Sequence, residues 1–120
     1  MDPITLAIIG ALSKLSENVI SDAYQALKNA IAHKCGVDSD VVKAVQNLEK
    51  KPDSKGRVET LQEEVLAAKI DHDPELLKAS NALLSKLKDF PEAQTIINQT
   101  VTGNQNIFSG TGNVTGTNKS

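Results

Sequence analysis

Three properties of the 120 residues predict an all-α helical bundle followed by a tail. Apolar residues recur at steps of three and four through residues 1–90. Runs of that pattern open beside Asp, Ser or Pro and stop before Gly or Pro. No segment before residue 94 shows the clean alternation of a half-buried strand. The expected bundle has four to five helices over residues 1–90, joined by short loops that favour antiparallel neighbours. Residues 91–120 are expected to be disordered and able to form cross-β.

The first helix starts with Asp2 as its cap and Pro3 at its first position. Its apolar stripe reads Ile4, Ile8, Leu12, Leu15, Val19, Ala23, Leu27, Ala30 and Ile31, and stops before Gly36. Gly10 and Asn18 are weak points, so a break near residues 16–18 is one alternative to a single long helix. Asp38 or Ser39 caps a second helix, with Val41, Val42, Val45 and Leu48 facing inward. Pro52-Asp53-Ser54 opens a third, with the stripe Val58, Leu61, Val65, Leu66 and Ile70. Asp73-Pro74-Glu75 opens a fourth, carrying Leu76, Leu77, Leu83, Leu84 and Leu87 and ending at Phe90-Pro91.

Composition narrows the function. The formal charge is −2, from 13 Lys+Arg against 15 Asp+Glu, which disfavours nucleic acid as the main partner. Aromatics are 2% of the chain, so the core is aliphatic. No apolar run reaches the length of a spanning helix. The acidic start at Asp2 is unlike the basic beginning of a secretory signal. The single Cys35 makes neither a disulfide framework nor a multi-cysteine zinc site, and no cofactor or metal is expected. His33 and Lys34 read as cations suited to a helix C-terminus. In Asp71-His72-Asp73, Asp73 reads as a helix cap rather than part of a catalytic dyad. With no activated nucleophile and no phosphate-binding glycine loop, an enzyme reading has no positive support.

Two segments carry information. Pro3 to Ser13 has no charge, and Leu6, Ile9 and Leu15 lie off the narrow stripe. Such a helix is either central in the bundle or able to enter a bilayer, and a switchable helix is the first before it becomes the second. Its candidate membrane-active residues are Ile4, Leu6, Ile8, Ile9, Leu12 and Leu15.

The second segment is the tail. Only Glu92 and Lys119 are charged after Pro91, and residues 93–118 have neither charge nor proline. Val-Thr-Gly occurs at 101–103 and again at 114–116. In stacked strands about 4.8 Å apart, Asn and Gln form ladders, apolar residues form dry interfaces, and charges in register would repel. A flexible linker is the alternative. The candidate assembly motif, about 98–117, comprises Val101, Gly103, Asn104, Gln105, Asn106, Ile107, Phe108, Gly110, Gly112, Asn113, Val114 and Gly116.

Asp2-Pro3-Ile4-Thr5 with its apolar helix, and the run from Asn104 to Gly116, carry a family resemblance. The chain resembles the bacterial Bell-domain proteins, analogues of the fungal HeLo-like and HELL cell-death domains. Its tail resembles bacterial amyloid signalling (BASS) motifs, which are similar to RHIM and fungal PP motifs. It departs from RHIM at Val114-Thr115-Gly116, where threonine stands in place of glutamine. The resemblance implies a cytoplasmic effector that is templated into a fibril by a NOD-like receptor with a matching motif. It also implies self-assembly and action on lipids at the inner face of the cell membrane. A non-lytic helical adaptor recruited through its tail is the competing function.

Overall fold

A computed structural model describes residues 1–109, with side chains described through Val101. The described chain is all α. The helices are α1 (Pro3–Leu12), α2 (Asn18–Cys35), α3 (Asp40–Lys50), α4 (Lys55–Ala68), α5 (Pro74–Leu87) and α6 (Pro91–Ser109), with a single 3₁₀ turn at Ile70–His72. Residues 1–90 thus hold five α-helices, and a sixth begins at Pro91.

The caps follow the local chemistry. Asp2 accepts from the Thr5 N–H at 2.8 Å and also from the Thr5 hydroxyl, satisfying a buried polar side chain at the head of α1. Ser39, Ser54 and Asp73 cap α3, α4 and α5 in the same way. Gly36 closes α2 with φ +100°, a conformation that costs glycine little. Lys69 closes α4 in the left-handed region at φ 59°.

The long first helix is two helices. Its first part ends at Leu12, where the Ser13 hydroxyl donates to the Gly10 carbonyl at 2.6 Å. Tight turn bonds from Lys14 to Ala11 and from Glu17 to Lys14 then carry the chain round the corner. α2 buries the predicted Leu27 and Ile31 together with Ile20 and Tyr24, and Ala23 and Ala30 of the predicted stripe pack partly buried against the same core. Val19 is 45% exposed.

Most other stripes fall where expected: Val41, Val45 and Leu48 in α3, Val58, Leu61 and Val65 in α4, and Leu76, Leu83 and Leu87 in α5 are buried. Leu66 is an exception at 48% exposed. Pro91 also differs from expectation. It starts a helix instead of ending the last one, as Pro3 and Pro74 do. Ala93 and Ile97 then recur four apart and bury themselves, and Ile96 and Val101 pack against the same core. The composition break at Pro91 is therefore not a break in packing, and residues 94–101, expected to be disordered, lie on the bundle.

Candidate functional site

α1 is the centre of the molecule. It packs against α2, α4, α5 and α6. Ile4, Ala7, Ile8 and Ala11 are fully buried and Ile9 nearly so. Leu6 and Leu12 are half-buried at the edge of the core, while Leu15 stands outside α1 in the following turn and is 38% exposed. The six residues predicted to act at a membrane therefore divide: three in the core, two at its edge, and one on the surface. A charge-free helix is stable here because neighbours cover it on nearly every side, each fully buried Ile contributing about 1.5–3 kcal/mol.

At Gly10, α1 is approached closely by α5 and α6. A Cβ on Gly10 would meet Ile97 Cδ1 and Leu87 Cδ1, both at 2.8 Å. Glycine in a helix costs about 1 kcal/mol relative to alanine; here it makes room for both side chains. An ion pair joins Lys14, just beyond α1, to Glu92 in the first turn of α6. Lys14 holds the Glu92 carboxyl below the ordinary range. α6 thus lies along α1, fixed by Ile97 and Ala93 inside and by one ion pair at the rim.

Val101 of the predicted assembly motif is half-buried against the core. Gly103, Asn104, Gln105, Asn106, Ile107 and Phe108 continue the backbone of α6. Gly110, Gly112, Asn113, Val114 and Gly116 lie outside the described residues.

Two polar clusters were not legible in the spacing. The Tyr24 hydroxyl donates to Glu49 Oε2 at 2.6 Å, Lys28 Nζ sits 2.6 Å from the same oxygen, and that ammonium lies 5.5 Å from the Tyr24 ring. Burial, and then the carboxylate, push the Tyr24 phenol far up. This cluster joins α2 to α3. At the other end of α2, Lys34 reaches Asp73 at 3.3 Å and Glu75 at 3.4 Å. The Leu76 N–H, and then Lys34, lower the Asp73 carboxyl. The one advance signal was Lys28 four residues beyond the single tyrosine.

His72 is exposed beside Asp71, and Asp73 is engaged as a cap, so the Asp-His-Asp run forms no pocket. Cys35 is half-buried, its thiol pushed up by desolvation and by Asp73. No three metal-ligating side chains converge among the described residues. No helix among them is long and apolar enough to cross a membrane.

A helix buried at the centre, with a covering helix that runs into an uncharged tail, is the arrangement to compare with known proteins. The family model described as the Het-E N-terminal domain matches residues 1–120. The chain belongs to that family. It is therefore a HeLo-like domain related to cell death. The match takes in the tail as well as the helices. Comparison with curated proteins and with solved structures returns no match.

Proposed function

We propose that this Het-E N-terminal domain is a membrane-acting cell-death effector fired by its own tail. A matching segment on a NOD-like receptor partner templates the bacterial-type amyloid motif, residues 98–117, into cross-β. Growth of the stack gathers many copies of the bundle at high local concentration. Because α6 runs into the motif, its conversion removes Ile97 and Ala93 from α1. Local opening then exposes α1, and the charge-free helix enters the bilayer. The observation that carries this reading is the continuity of α6: one helix both covers α1 and enters the motif.

A length argument limits how α1 acts. Ten residues rise about 15 Å, about half the hydrocarbon thickness of a bilayer. A lone α1 therefore lies in the interface, or several assemble.

The test is dye release from vesicles by the full chain, with and without preformed fibrils of residues 94–120 as seeds. Leu6→Asp and Leu12→Asp are the informative variants. Both side chains are at the edge of the core, so the bundle survives, as circular dichroism would verify. Seeded wild-type chain is expected to release dye, and the variants to form fibrils with at least tenfold less release. Seeded fibrils that leave vesicles intact would favour the adaptor function instead.

A further inference from the structure

α5 carries a polar defect near its middle. Its buried stripe reads Leu76, Ser80, Leu83 and Leu87, so a serine stands where the pattern calls for an aliphatic residue. Ser80 is fully buried, and its hydroxyl finds no hydrogen-bond partner among the described residues. Thr5 of α1 is also buried and polar, but its hydroxyl donates to Asp2 at 2.8 Å.

Helix hydroxyls elsewhere in the chain satisfy themselves locally. Thr60, Thr95 and Thr100 each donate to the carbonyl four residues back, those of Gly56, Pro91 and Ile96. Ser80 does not. A buried hydroxyl without a partner has given up its bonds to water and gained none, which destabilises the closed state. Alanine would fill nearly the same space, is a better helix former and would carry no such penalty. Breaks of a local rule of this kind belong to places where a fold must do something besides persist.

The surroundings decide which seam yields. α5 packs against both α1 and α2. The α2–α5 seam is clamped at one end, where Lys34 reaches Asp73 and Glu75. The polar groups of α1 and its ends are engaged elsewhere: Asp2 with Thr5, Ser13 with Gly10, and Lys14 with Glu92 of α6. Among the described residues no side-chain hydrogen bond or ion pair joins α1 to α5. Their contact is apolar, with Leu87 close to Gly10, and apolar contact is non-directional.

We infer that the Ser80 hydroxyl is a built-in weak point that sets how readily α1 parts from α5. Removing α6 uncovers only part of α1, which still lies on α5, α2 and α4. Parting α1 from α5 lets water reach Ser80 and restores its hydrogen bonds, so the hydroxyl favours the open form over the closed one. This deepens the function proposed above by supplying the step after α6 leaves, and it rests on that reading for its purpose.

The test compares Ser80→Ala with Ser85→Ala, the same change at an exposed position of α5. The pair separates the loss of a buried hydroxyl from the better helix propensity of alanine. Native-state amide exchange is measured on the full chain without seeds. Ser80→Ala is expected to slow exchange about tenfold across α1 and α5, with a smaller effect in α3 and α4, and to raise the urea midpoint. Ser85→Ala is expected to slow it about twofold at most. No slowing beyond that of Ser85→Ala would mean that Ser80 is satisfied in solution and would overturn the inference. So would slowing uniform over all helices, or slowing in α2 and α5 that leaves α1 unchanged. Seeded dye release is then read on both variants, with Ser80→Ala expected to be about tenfold slower while fibrils form to the same extent. Equal release from the two variants would overturn the part of Ser80 in freeing α1. A wild-type chain that releases no dye would refute pore formation, and the exchange result would still decide the seam.

Discussion

Single side chains do two kinds of work in this bundle, and Tyr24 shows the difference from the aliphatic core. It is 1% exposed, yet its hydroxyl still finds a partner in Glu49. Burial and a neighbouring carboxylate both oppose ionisation, so the phenol stays protonated and donates. Removing only that hydroxyl leaves the ring packed and strips Glu49 of a donor. Tyr24→Phe is expected to cost about 1–2 kcal/mol, and a urea midpoint shifted down with unchanged slope would register it. Retention of full stability would mean that Lys28 alone satisfies Glu49. None of this was visible in the spacing of residues 24 and 49, because nothing in local periodicity says which distant carboxylate meets a phenol. Asp2-Pro3 and Asp73-Pro74 were legible, since a cap and the proline after it act on their own backbone within one turn.

At the scale of elements, the decisive contact is that of α6 on α1. After Pro91 the chain turns to Asn, Gln and Thr, and only Ala93, Ile96, Ile97 and Val101 keep the helical spacing. Four apolar residues in a polar stretch read as a tail, though Pro91-Glu92 repeats the proline-acid start of α5. The end of α1 has a local origin: Ser13 donates its hydroxyl to the Gly10 carbonyl, one choice among several open to serine. Gly10 tests the contact directly. A bulky side chain there meets Ile97 of α6 and Leu87 of α5 at once. Gly10→Leu is expected to destabilise the bundle by about 1–3 kcal/mol. The loss should be local, with faster amide exchange across residues 91–101 and little change in α3 and α4. Uniform acceleration throughout would show that α6 has no independent motion and would weaken its part in releasing α1.

For the molecule as a whole, charge contacts at the ends of helices determine how far pH destabilises the fold. Glu92 tied to Lys14 fastens α6, and Asp73 both caps α5 and ties it to Lys34 of α2. Both carboxyls titrate lower in the fold than in the open chain. Their contribution is therefore complete above the ordinary carboxylate range, near pH 4, and disappears as pH falls through their lowered values. Tyr24, Lys34 and the Cys35 thiol are shifted upward, so theirs is complete below the ordinary thiol value, about pH 8.5, and is lost as pH rises further. A plateau of thermal stability between these limits follows, with a fall on each side. The acid side bears on function, because protonating Glu92 frees the rim of α6 while Ile97 still holds its middle. Glu92→Gln should mimic that state at neutral pH: a slightly lower melting temperature, a shallower acid limb, and faster conversion when seeded fibrils are added. An acid limb identical to that of wild type would assign the loss to Asp73, and the bundle would then open first between α2 and α5 instead of at the helix that covers α1.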